Sequence, residues 1–141
     1  MSDRGALFFV MIPVALMALL SGGLATPLVA ADPAGPVVDV PSGLELYLHE
    51  VRVEEQPGGA VWLRYRYVAE GLRDAGFDAV ALDFQALCDT QVLPDARAAT
   101  AEQAVISLAG QALDFGVSDP DVTQYFEAFR LEDGACIWEG Y

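Results

Sequence analysis

Beyond residue 43 the apolar positions fall into short alternating runs, broken once by a helical spacing. Leu44, Leu46 and Leu48 alternate with polar residues as a half-buried strand does, and Val51 and Val53 continue the set on the opposite parity. One extra residue at His49-Glu50, a β-bulge, restores a common inner face. Glu54 to Gly59 reads as a turn, and Val61, Leu63, Tyr65 and Tyr67 form the inner face of a returning strand. Arg64 and Arg66 then share the outer face with Trp62, where glutamates of the first strand can pair with them. Exposed pairs of that sort contribute about 0–1 kcal/mol and carry little functional information.

The period then changes. Asp78 is placed as a helix N-cap, with Phe77 before it and Leu82 four positions on as a hydrophobic staple. Val80, Phe84, Leu87 and Cys88 follow the i, i+4, i+7, i+8 rule, and Pro94 marks where the helix has ended. Ala104 to Ala109 is a strand, and Gly110 turns the chain into a shorter one holding Leu113 and Phe115. A single helical turn is expected near Pro120. Asp133-Gly134 is a hairpin signal, and a two-residue turn there pairs Leu131 with Cys136 and Phe129 with Trp138 over a terminal hairpin from about Tyr125 to Glu139. The predicted fold class is α+β: an antiparallel sheet of four to six strands with one helix packed on one face.

Residues 1–31 read as a signal peptide: Met1-Ser-Asp-Arg4, an apolar run from Ala6 to Leu20, then Ser21-Gly22-Gly23. Val29-Ala30-Ala31 is the preferred cleavage site and Gly23-Leu24-Ala25 the second. No cysteine directly follows the apolar run, which argues against a lipid anchor. The alternative is an uncleaved inner-membrane anchor, because Gly5 to Ala31 holds no charge and a span needs about 20 apolar residues. Pro27 and the paired glycines interrupt the run, and Asp3 opposes the positive charge of Arg4. Both readings place the remainder outside the cytoplasm, as a periplasmic or secreted protein in the first case. Residues 32–43, rich in proline and small side chains, read as a tether, and 44–141 as a single domain of ordinary size.

Charge narrows the partners. The chain carries 21 acidic residues against 7 basic ones, a formal net charge of −14, with no lysine and no asparagine. Phosphate binding needs a basic surface, so nucleic acid is set aside as a partner. The same charge favours solubility, and beyond that a basic partner or a cation.

The catalytic inventory is sparse. His49 is the single histidine, which removes metal sites built on two or three imidazoles and leaves only His49 for a Ser-His-Asp triad. No serine stands in a nucleophile-elbow context. Asp114, Asp119 and Asp121 lack calcium-loop spacing and read as turn and cap residues. No metal and no cofactor are expected. Glu127 shares the parity of Phe129 and Leu131, and a carboxylate facing the core there is the candidate general acid, with His49 as its companion. Trp62 and Tyr141 are the aromatic residues free to be exposed, and they are the candidate binding residues.

Val105-Ile-Ser-Leu108, Asp114-Phe-Gly116, Thr123-Gln-Tyr-Phe-Glu-Ala-Phe-Arg130 and Gly134-Ala-Cys-Ile-Trp-Glu139 resemble the closing motifs of a family of small exported alphaproteobacterial proteins of unknown function. The resemblance implies an envelope location and carries no catalytic residues across. Cys88 lies on the buried helix stripe and Cys136 on the inner face of the hairpin, so a disulfide between them joins helix to sheet. Two free buried thiols are the alternative. The expected function is a non-enzymatic binding or interaction module for an envelope protein or small ligand. A small carboxylate-dependent hydrolase or lyase and a structural subunit of an envelope complex are the alternatives.

Overall fold

The computed structural model describes residues 35–140, so the segment read as a signal peptide, residues 1–31, and Tyr141 lie outside the described residues. Strands β1 (Val37–Val38), β2 (Leu46–Glu55), β3 (Val61–Val68), β4 (Gln103–Ala109), β5 (Gln124–Glu132) and β6 (Ala135–Trp138) form one sheet in sequence order. Part of the segment read as a tether therefore contributes β1, paired with Leu46 and Tyr47.

The sheet is mixed and curves into a half-barrel, which corrects the expectation of an antiparallel sheet. Every neighbouring pair is antiparallel except β3 and β4, which run parallel from Trp62 opposite Gln103 to Val68 opposite Ala109. The cause is the connection. The chain between β3 and β4 is a helical crossover, which returns it to the end where β3 began, and parallel neighbours need such a crossover.

That crossover holds a single turn, α1 (Leu72–Ala75), then α2 (Phe77–Leu87), which continues through a π-helical segment (Cys88–Val92) into one helix of 16 residues. Gly76 separates α1 from α2 at φ +76°, a conformation costly for a residue with a Cβ. It also serves as the N-cap of α2, so Asp78 is already inside the helix and the expected cap and staple are absent. Leu82 is 72% exposed.

The core lies between the helix and the inner face of the sheet. Val80, Phe84, Leu87, Cys88 and Val92 pack on Leu46, Leu63, Tyr67, Ile106, Leu108 and Phe129. The bulge falls at His49, where the β2–β3 register shifts between Leu48 and Glu50, and so Leu48 and Val51 both reach the core. The terminal hairpin keeps the expected register, with Asp133 at φ 51° and Gly134 at φ 73°, both positive as a type I′ turn demands.

The stretch from Gly110 to Thr123 is neither strand nor helical turn. It is a loop of tight turns closed by bonds such as Val117 N–H to Asp114 O and Val122 N–H to Asp119 O. Instead of extending the sheet it crosses the outer face. The Arg66 guanidinium donates to Leu113 O at 2.6 Å, and Phe115 lies 4.0 Å under that of Arg52.

Candidate functional site

The helix stripe of Val80, Phe84 and Leu87 is buried, but Phe77, Ala81, Leu82 and Gln85 stand to one side of it. Strand alternation sends Tyr125, Glu127 and Phe129 of β5 to the same side of the sheet, and the hairpin register sets Trp138 opposite Phe129. Helix and hairpin leave an apolar groove of about 430 Å³ between them, in which Glu127 is the sole charged residue among the described residues. Its walls include apolar side chains that an isolated domain leaves wet: Leu82, and Trp138 at 60% exposure. Phe77 meets Tyr125 edge to face with ring centroids 5.4 Å apart.

Two contacts give the groove a defined shape. The Trp138 indole N–H donates to Glu127 Oε2 at 2.6 Å, which orients the carboxylate against the ring. The Cys88–Cys136 disulfide, with Cα atoms 6.2 Å apart, ties the helix to β6. The helix and hairpin cannot part without breaking it.

One edge of the groove is a free strand edge. Among the described residues β6 pairs only with β5. The Leu131 N–H is spent on Glu102 O, away from β6, so by antiparallel alternation its partner Cys136 turns its own peptide groups outward. Gln85 Nε2 reaches the Cys136 carbonyl at 3.4 Å. Trp138, two residues on, presents its backbone to the same edge.

The candidates named from sequence do not converge. His49 is exposed at the bulge of β2, and strands β3 and β4 separate it from Glu127 on β5. Trp62 is half-buried on the outer face, at a cleft with Gln103, Arg130 and Glu139, and so looks away from Glu127. Tyr141 is outside the described residues. Trp138, expected in the core, is largely exposed because β6 is the last strand and the helix covers only its start. Phe77, Leu82 and Gln85 were not singled out as site residues. The available signal was Leu82, a large apolar residue one step off the buried stripe.

A second polar cluster fastens the turn after the helix. Tyr65 O–H and the Arg97 guanidinium and backbone N–H all donate to the Asp95 carboxylate. The bonds from Arg97, then Tyr65, hold Asp95 well below the usual carboxylate range. Burial, then the bond to Asp95, pushes the Tyr65 hydroxyl up. Tyr67, two residues on, has a buried hydroxyl with no hydrogen-bond partner among the described residues.

A half-barrel of mixed strands around one helix, joined to it by a disulfide, defines the class: a small disulfide-bonded α+β domain. The Thr123–Arg130 and Gly134–Glu139 segments that bore the sequence resemblance build the groove's sheet wall. The chain belongs to the family described as "Family of unknown function (DUF6497)", whose model matches residues 19–141. Neither a curated protein nor a solved structure matches it.

Proposed function

We propose that the protein is a non-enzymatic binding module, and that its groove takes an extended segment of a partner protein carrying apolar and basic side chains. The observation that carries this reading is a carboxylate, oriented by Trp138, inside a groove whose other walls are apolar except for Gln85. Apolar walls with a few placed polar groups are the usual make-up of a ligand site. A segment added along β6 would bond to the outward peptide groups of Trp138, displace Gln85 from the Cys136 carbonyl, and send alternate side chains into the groove, the logic of strand addition. Glu127 and a chain at −14 both favour a basic residue on that segment. The separation of His49 from Glu127 weighs against the hydrolase reading.

We infer also that the module works outside the cytoplasm, in the periplasm or after secretion, following removal of residues 1–31. The disulfide suits an oxidising compartment. No helix among the described residues is long and apolar enough to cross a membrane.

A randomised display library of unstructured 12-residue peptides tests the site. Selection on the disulfide-bonded protein is expected to enrich alternating apolar residues with at least one Arg or Lys. Glu127→Gln should weaken an enriched peptide by about tenfold, the loss of one charge-assisted bond, and Leu82→Asp should abolish binding. Enrichment without a basic residue, or binding indifferent to both substitutions, would exclude the groove as the site.

A further inference from the structure

The outer face of the sheet, opposite the groove, carries a concentration of cations unusual for this chain. Arg52, Arg64 and Arg66 are three of its seven basic residues. All three guanidiniums gather around the Phe115 ring, 4.0, 5.5 and 5.7 Å from its centroid. Register explains the gathering. Arg64 faces Arg52 across β2–β3, and Arg66 is next on the same side of β3.

Beside them, under the turn at Phe115–Ser118, lies a cavity of about 310 Å³ bounded by Arg64, Arg66, Ser107, Phe115, Gln124 and Phe126. Its charged walls are both cationic, and among the described residues no carboxylate lines it. Arg66, Ser107 and Phe126 form one row across three strands, since Arg66 faces Ser107 and Ser107 faces Phe126.

The polar groups are held ready. Glu50 and the Leu113 carbonyl accept from the two terminal nitrogens of Arg66, a residue only 8% exposed. Glu54 accepts from Nε and Nη2 of Arg64, leaving Nη1 without an acceptor among the described residues. A guanidinium has five N–H donors, so this pairing orients Arg64 without exhausting it. Ser107 is 4% exposed, lines the cavity, and makes no side-chain hydrogen bond among the described residues. Its hydroxyl is therefore available to donate to a ligand in the cavity.

We propose that this cavity is a second binding site, for a small organic carboxylate with a flat apolar body. The carboxylate accepts from Arg64 Nη1 and Ser107 Oγ. The body lies against Phe126, a ring otherwise exposed on the sheet face. The volume is at the low end for ligand pockets, which limits the ligand to a small acid. Glu50 and Glu54 stand behind the arginines and offset two of the three positive charges, which favours a monoanion over a phosphate or sulfate dianion.

Titration of the ¹⁵N-labelled protein with phenylacetate, followed by NMR, tests the site, with acetate and inorganic phosphate as parallel arms. The expected result is saturable shifts at the Ser107, Gly116 and Phe126 amides and at the Arg64 side chain. Arg64→Gln should weaken phenylacetate by about tenfold or more, and Phe126→Ala should bring its affinity down to that of acetate. Should Arg64→Gln lose a dispersed spectrum, Ser107→Ala and Phe126→Ala carry the test, since neither removes an ion pair. Absence of saturable shifts, shifts unchanged by the substitutions, or a response to phosphate that equals or exceeds that to phenylacetate would each overturn the assignment.

Discussion

Two neighbouring tyrosines on β3 show how little of a residue's contribution lies in its type. Tyr65 donates to an ionised Asp95, whereas the Tyr67 hydroxyl is buried with no partner among the described residues. Tyr65→Phe removes a bond to a charged acceptor and is expected to cost about 1.5–3 kcal/mol. Tyr67→Phe removes an unmet polar group and should leave the urea midpoint unchanged or raise it; a clear loss would mean that the hydroxyl has a partner in solution. Asp95 sets a pH dependence. Its pKa in the folded chain lies below the unfolded value of about 3.9, so between the two the unfolded state binds more protons. The stability it contributes is therefore complete above roughly pH 5 and is lost as pH falls toward the folded value. Urea unfolding between pH 2 and 6 should show Asp95→Asn with a shallower acid decline than the parent, and equal declines would remove Asp95 from the account.

At the scale of elements, the joins between strands and helix matter more than the elements alone. The disulfide closes a loop with a sequence separation of 48. The chain-entropy model values that at about 4 kcal/mol, a large part of a small domain's stability. Reduction, or Cys88→Ala with Cys136→Ala, is expected to lower the unfolding free energy by that order in urea titrations, and alkylation of the unreduced protein should find no free thiol. A second join pins the segment before β2. The buried Asp83 carboxylate on α2 accepts from the Ser42 backbone N–H at 2.8 Å and from its hydroxyl. Asp83→Ala leaves those donors unmet and should raise amide exchange at Ser42 and in β1, with the hairpin amides unaffected. The Asp133-Gly134 turn needs positive φ at both positions, so Gly134→Val should destabilise β6 and loosen the groove wall.

For the whole molecule the governing quantity is charge. At −14 the protein should give no detectable retention on heparin at physiological salt, because the clustered arginines are too few and are partly offset by Glu50 and Glu54. Retention would show that the outer face acts as a basic patch. Location is tested by the mature N-terminus. Sequencing of the protein from a periplasmic fraction is expected to begin at or near Asp32, whereas intact Met1 in washed membranes would establish the anchor instead.

What could be read from the sequence was local. Period-two alternation and the parity break at His49-Glu50 located β2 and its bulge, because side chains alternate faces along a strand and one extra residue restores them. Asp133-Gly134 specified the last turn and hence the pairing of Cys136, and the stripe through Cys88 pointed the other thiol inward. The disulfide followed from those two faces. Strand order was different in kind. Alternation is the same in parallel and antiparallel neighbours, so the parallel β3–β4 pair depended on where the crossover delivered the chain. The groove and the arginine cavity likewise draw walls from elements far apart in sequence, Leu82 with Trp138 and Arg64 with Phe126. Exposure at each of those residues is set by what happens to cover it. Leu82 and Trp138 carry the residue types of a core, and they are at the surface because the curved sheet ends at β6 and the helix lies over only part of it.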